Sequence, residues 1–114
     1  ADLILLDFWA SWCESCRTKK QEILKPLYEK YKDKGLEIVS VSIDVDRENW
    51  IKAIQEDQTA WIHLSDLKGN NSEVFAKFQI FGVPTIYVLN KQKYILSKDP
   101  SDQELIDLTD NFFN

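Results

Sequence analysis

Leu3-Ile4-Leu5-Leu6-Asp7-Phe8-Trp9 is apolar at both alternating sets of positions and is broken only by Asp7. A strand apolar on both faces suits the centre of a sheet covered on each side by helices. Residues 14 to 34 then place Ile23, Leu24, Leu27, Tyr28 and Tyr31 at helical spacing, which predicts a helix with one broad buried face. Pro26 cannot donate to the helical ladder, so a kink or interruption is expected there, and Gly35 marks the helix end. Leu36 to Ile43 is rich in β-branched residues and reads as a second strand. Asp46 predicts an N-cap for a helix near 47–57 that presents Trp50, Ile51 and Ile54. A short strand from Trp61 to Leu64 follows, then a loop at 66–71 and a short helix carrying Val74, Phe75 and Phe78. Thr85 to Leu89 and Tyr94 to Leu96 read as an antiparallel hairpin joined at Asn90 to Lys93. Ser101 and Glu104 form a capping-box pattern, with Asp99-Pro100 as an alternative start one turn earlier. The last helix is expected to bury Leu105, Ile106, Leu108 and Phe112.

The resulting order, β-α-β-α-β-α-β-β-α, implies parallel strands with right-handed crossovers followed by a hairpin. That is an α/β fold: a three-layer α/β/α sandwich with a mixed sheet. At 114 residues the chain is expected to be a single domain, 1–114, with enough core to stand without staples. A net charge of −5 argues against nucleic acid or an anionic membrane surface as the main partner, since both need a basic face. No segment approaches the roughly 20 apolar residues of a membrane span. The chain starts at Ala1, contains no methionine and enters a strand at once. A processed protein or excised domain is therefore expected, with any signal or anchor removed from view.

Both cysteines lie in Phe8-Trp9-Ala10-Ser11-Trp12-Cys13-Glu14-Ser15-Cys16, at a strand-to-helix junction. There the free N–H groups and positive end of the helix favour an anion, so a Cys13 thiolate would be stabilised. Cys16, one turn later, is close enough to close a disulfide and resolve a mixed one. A structural zinc site needs four ligands, and beyond the two cysteines the chain offers the single His63. An inert bridge across so short a loop would constrain almost nothing. Redox work is the favoured reading of the three.

The run LLDFWASWCESC followed by a helix, with Gly82-Val83-Pro84-Thr85 opening a later strand, resembles the thioredoxin superfamily over the whole chain. The segment RENWIKAIQEDQTAWIHLS at 47–65 is similar to the insertion of the TlpA/ResA-like branch of bacterial extracytoplasmic oxidoreductases. The resemblance implies a thiol–disulfide oxidoreductase that reduces protein disulfides, with Cys13 as exposed nucleophile and Cys16 as buried resolving thiol. Pro84 would be the cis-proline facing them, and Val83 would offer its backbone to an extended substrate segment. A strand-start proline is the alternative for Pro84. Trp12 and Phe81 would flank the dithiol as an apolar docking rim, with core packing the alternative. No cofactor is expected beyond the redox-active Cys13–Cys16 pair, and no metal. Expected partners are protein thiol or disulfide substrates and an upstream protein electron donor, for a monomer without membrane contact of its own. The implied compartment is extracytoplasmic or periplasmic, with a cytosolic thioredoxin-type reductant as the alternative. A binding module with an idle Cys13–Cys16 bridge is the rival from another class.

Asp7 lies six residues before Cys13, matching the buried acid of thioredoxins, where it would relay a proton to or from Cys16. A carboxylate in a doubly covered strand costs several kcal/mol if charged and unpaired, so Asp7→Asn is expected to raise stability. A solvated strand end is the alternative. Glu14 and Ser15 stand where the family often has proline or glycine-proline, and they are read as tuning elements. Glu14 should oppose thiolate formation at Cys13, partly offset by Arg17, Lys19 and Lys20, whose ordinary role is a solvated helix face. Ser40 stands where thioredoxins often place a lysine near the buried acid. Trp9, Trp50 and Trp61 are expected in the core. His63 is expected to be structural, with a copper-linked role the remote alternative.

Overall fold

The doubly apolar run becomes β1 (Leu3–Trp9), the central strand of a five-stranded sheet in a computed structural model that describes residues 1–114. Its partner on one side is β2 (Leu36–Ser42), parallel, with Asp7 opposite Ser40. β3 (Ile62–Ser65) continues the parallel set at one edge, with His63 opposite Ser40. On the other side β4 (Thr85–Asn90) runs antiparallel to β1, and β5 (Ile95–Lys98) closes the hairpin at the far edge. The spatial order is therefore β3-β2-β1-β4-β5. β5 begins one residue later than the expected strand and runs to Lys98. Tyr94 stays in the connection, where the Lys93 N–H donates to the Asn90 carbonyl at 2.9 Å.

The expected helix over 14–34 is a composite. α1 (Glu14–Lys19) passes into a wide π turn (Lys20–Leu24), then α2 (Lys25–Tyr31), and a 3-10 turn (Lys32–Lys34) ends it at Gly35 in the left-handed conformation. The interruption expected from Pro26 is the π turn before it. The Lys25 N–H reaches back five residues to the Lys20 carbonyl, and Pro26 then sits in the first turn of α2, where its missing N–H costs little. α3 (Arg47–Asp57) starts as expected at Asp46, whose side chain accepts from the Asn49 N–H at 3.1 Å. A 3-10 turn (Gly69–Asn71) and α4 (Glu73–Lys77) precede β4. α5 (Asp102–Phe113) has both halves of the Ser101/Glu104 capping box.

Two apolar cores lie on opposite faces of the sheet. Leu3 and Leu5 of β1 meet Leu24, Leu27, Tyr31 and Leu105 on one side. Ile4, Leu6 and Phe8 meet Phe75, Ile80 and Tyr87 on the other. α5 differs from expectation in its buried face: Leu105 and Thr109 are buried, Ile106 and Leu108 are half-buried, and Phe112 is exposed. Thr109 can be buried because its hydroxyl donates to the Leu105 carbonyl at 2.8 Å. A third, smaller cluster joins Trp9, Ala10, Cys13, Cys16 and Ala53, with Trp50 and Ile54 of α3 packed against it. This cluster sits at the C-terminal end of β1, where the chain turns into α1. No helix is long and apolar enough to cross a membrane.

Candidate active site

Cys13 occupies the N-cap of α1, and its sulfur accepts from the Cys16 N–H at 3.2 Å. The two cysteines are disulfide-bonded, with Cα atoms 5.3 Å apart. Cys13 keeps 7% of its surface exposed and Cys16 only 1%, so the outer sulfur is the one a partner could reach. Glu14 and Ser15 are exposed, and the Ser15 hydroxyl lies 3.5 Å from the Cys13 sulfur. No group of three or more His, Cys, Asp or Glu side chains converges to hold a metal ion.

The Val83–Pro84 peptide bond is cis, and Val83 packs against the cluster that contains both cysteines. A groove of about 360 Å³ runs beside them, with Trp12, Ile43, Phe75, Ile80, Phe81 and Val83 among its walls. Trp12 is 69% exposed and Phe81 is 96% exposed, so neither is a core residue. The depression on the other side of Trp12 is polar, lined by Ser11, Glu14, Arg17 and Asp57 among others. The apolar groove thus lies on one side of Trp12 and a polar depression on the other, while Pro84 borders a separate charged hollow with Glu14, Lys19 and Asp102.

A row of polar side chains crosses three strands of the sheet: Asp7, Ser40 and His63. Asp7 is 1% exposed, which removes the solvated-strand-end alternative. It is not unpaired either. The Ser40 hydroxyl donates to Asp7 Oδ2 at 2.7 Å, and the Lys20 ammonium lies 3.3 Å from the same oxygen. Lys20 is fully buried, with its Nζ over the Trp9 ring. The two groups form an ion pair inside the core. Burial pushes the Lys20 ammonium down to about 8, with the neighbouring Asp7 charge opposing that shift.

Lys20 therefore corrects two expectations. It is not a solvated helix residue, and it supplies from the first turn after α1 the cation that Ser40 lacks. The signal was present in the spacing, since Lys20 lies four residues after Cys16 and four before Leu24, both buried. A lysine on that face looks out of place until the acid beneath it is known. Arg17 is half-buried and bidentate on Asp57, with Nε at 3.0 Å from Oδ2 and Nη2 at 2.8 Å from Oδ1. Lys19 reaches Asp102 at 3.1 Å.

His63 is held between Trp9, edge-on, and Trp61, stacked, and its Nε2 shares a hydrogen with Thr59 Oγ1 at 2.7 Å. Burial, with the Lys20 charge adding to it, lowers the His63 pKa to about 4, so the ring is neutral at physiological pH. The Trp61 indole N–H donates to Ser40 Oγ at 2.8 Å, which links Trp61 to the buried Ser40–Asp7–Lys20 group. Trp9 and Trp61 are core residues as expected, and Trp50 is half-buried.

The thioredoxin-like family model matches residues 1–95. The chain belongs to the thioredoxin-like family. Among solved structures, this thioredoxin-like chain superposes on a thiol-disulfide oxidoreductase from Bacteroides fragilis with a TM-score of 0.90. The two share 33% identity over 97% of this chain and 81% of that one. The thioredoxin domain of a thiol-disulfide oxidoreductase from Bacteroides vulgatus matches with a TM-score of 0.88, at 33% identity over 99% of this chain and 80% of that one. Of the curated relatives, the thiol-disulfide oxidoreductase ResA of Bacillus cereus is 26% identical over 100 residues, which cover 88% of this chain and 56% of ResA. The chain spans about half the length of the ResA proteins it matches along most of its own length. The resemblance to the ResA-like branch is thus shown by the relatives, and the thioredoxin fold by the structures.

Glu14 and Ser15 remain the departures in this thioredoxin-like site. Glu14→Gln removes a negative charge beside the sulfur, so the Cys13 pKa should fall and the couple become more oxidising. Ser15→Pro stiffens the turn and also deletes the hydroxyl beside the Cys13 sulfur. Both effects disfavour the reduced form, so the couple should become more reducing. Each substitution should move the equilibrium constant about twofold to fivefold, roughly 10 to 20 mV for a two-electron couple. Titration of both variants against a glutathione buffer checks the opposite signs; shifts of the same sign would refute the tuning role.

Proposed function

We propose that this domain is a thiol–disulfide oxidoreductase that reduces disulfides in other proteins. The observation that carries the reading is the disulfide at the N-terminus of α1, with Cys13 the less buried of the two cysteines, near an apolar groove and a cis-proline. In the dithiol form the Cys13 thiolate attacks a sulfur of the client disulfide, forming a mixed disulfide and expelling one client thiolate. Cys16 then gives up its proton and attacks the Cys13 sulfur. The Cys13–Cys16 bond closes and the second client thiolate leaves, so two electrons pass to the client. The nearby buried acid, Asp7, takes the Cys16 proton in this scheme, and Lys20 holds the carboxylate in place. Trp12, Phe81 and Val83 receive an extended, apolar client segment next to its disulfide. No cofactor takes part beyond the cysteine pair, and an upstream protein dithiol returns the electrons.

The names of the relatives support the reaction class, and an extracytoplasmic site of action is what the resemblance to the ResA-like branch implies. The direct test supplies dithiothreitol as donor and insulin as client, and follows insulin precipitation. Turnover well above the uncatalysed rate is expected. Mass mapping of the reduced protein after brief iodoacetamide treatment near neutral pH should find Cys13 alkylated before Cys16. Absence of turnover with a freely reducible disulfide would favour a binding module, and alkylation of Cys16 first would reverse the assigned roles.

A further inference from the structure

Ser11, two residues before Cys13, is gripped on every polar atom it has. Its N–H donates to Asp44 at 3.0 Å from Oδ2 and 3.2 Å from Oδ1. Its hydroxyl donates to Asp44 Oδ1 at 2.5 Å, and its carbonyl accepts from Arg17 Nη1 at 3.4 Å. Both holders are themselves fixed. Asp44 accepts from the Ser42 hydroxyl and donates its own N–H to Ser42 Oγ at 2.8 Å. Arg17 is anchored on Asp57 and Glu56 at the end of α3, which raise its pKa further, Asp57 most. Asp44 lies just before α3 and Asp57 is its last residue. The segment 44–57 thus reaches the redox turn from both of its ends.

Stability alone gives little reason for a carboxylate at position 44. It is 2% exposed, and no lysine or arginine pairs with it. A buried anion without a cation carries a desolvation cost that apolar packing avoids. What the carboxylate adds is direction: two oxygens hold an N–H and a hydroxyl of one residue at once. In the dithiol form the covalent link between Cys13 and Cys16 is gone. The hydrogen bonds left ahead of Cys13 are its own N–H to the Ala10 carbonyl, at 3.1 Å, and the grip on Ser11.

We propose that Asp44, and Arg17 through its anchor on α3, are positioning residues that hold the Ala10–Cys13 turn in place when the disulfide opens and thereby set the reactivity of Cys13. A turn held in place keeps the Cys13 sulfur within reach of the Cys16 N–H, which stabilises the thiolate. A loosened turn loses that bond part of the time, so less thiolate is present and the dithiol form is less favoured. This gives the α3 segment a part in the redox chemistry without contact with either sulfur.

The test uses the whole chain, reduced, and reads two quantities: the second-order rate of Cys13 alkylation by iodoacetamide at pH 7, and the midpoint in a glutathione redox buffer. Ser11→Ala leaves all charges in place and removes one holding bond. It should slow alkylation about threefold to tenfold and make the couple more reducing by the same factor in the equilibrium constant, roughly 30 mV at the upper end. Ser11→Thr keeps the hydroxyl and should stay within about twofold of wild type on both readouts. Ser42→Ala, which frees Asp44, should shift both in the direction of Ser11→Ala and by less. A lower melting temperature with unchanged rate and midpoint would make the grip purely structural and overturn the proposal, as would a threonine variant as impaired as the alanine one. If Ser11→Ala does not fold, the rate and midpoint of Ser42→Ala decide between the same two outcomes. Neither readout needs a client protein, so a failure of insulin turnover would sink the proposed function and leave this inference standing.

Discussion

Cys13→Ser should reduce insulin reduction to the uncatalysed background, whereas Cys16→Ser should retain the first attack and accumulate mixed disulfides. The asymmetry follows from access. Cys16 at 1% exposure lies under Cys13 and cannot meet a sulfur in another folded chain. Cys13 keeps 7% of its surface exposed at the helix N-terminus, lies in the cluster against which Val83 packs, and accepts the Cys16 N–H. Without Cys16 nothing internal can release the client, so the adduct persists until an external thiol arrives. Non-reducing gels of the Cys16→Ser variant mixed with an oxidised client should show a slower, thiol-sensitive band. Such a band from Cys13→Ser, or wild-type turnover from Cys16→Ser, would invert the roles.

Asp7→Asn is expected to destabilise the fold by about 3 kcal/mol, and Lys20→Met by a similar amount, because each leaves its partner's charge buried alone. This reverses the gain expected from the sequence, which rested on an unpaired Asp7. The ion pair, Lys20 and Asp7 at 3.3 Å with 0% and 2% side-chain exposure, is the reason. The double variant Asp7→Asn/Lys20→Met should recover most of the loss, since removing both charges removes both desolvation costs. Urea melts of the four proteins measure the coupling. Additive losses in the double variant would mean that the two groups do not act as a pair. In turnover, Asp7→Asn should slow release of the mixed disulfide and leave the Cys13 alkylation rate largely intact.

The fold and the reacting atoms were legible because local chemistry encodes them. The doubly apolar run at 3–9 becomes a central strand, Asp46 and Ser101 cap their helices, and Pro26 interrupts its own. Alternating elements restrict the topology to few arrangements, and Cys-x-x-Cys at a strand-to-helix junction already specifies dithiol geometry. Small errors fell where tertiary packing overrides pattern. Phe112 sits at a helical position that looks buried, yet α5 turns Thr109 inward because a hydroxyl can bond to its own helix.

What the sequence determined by itself was therefore the order of the elements, the mixed sheet, the N-caps at Asp46 and Ser101, and the cysteine pair at the start of α1. What only the tertiary structure decided was how the buried charges are paired. Asp7 and Lys20, thirteen residues apart, meet because β1 places one under the helix that carries the other. Ser11 and Asp44, separated by 33 residues, meet because β1 and β2 end side by side. A side chain's periodicity tells whether it faces the core; the charge it will find there belongs to another element, and burial makes that pairing worth several kcal/mol in either direction.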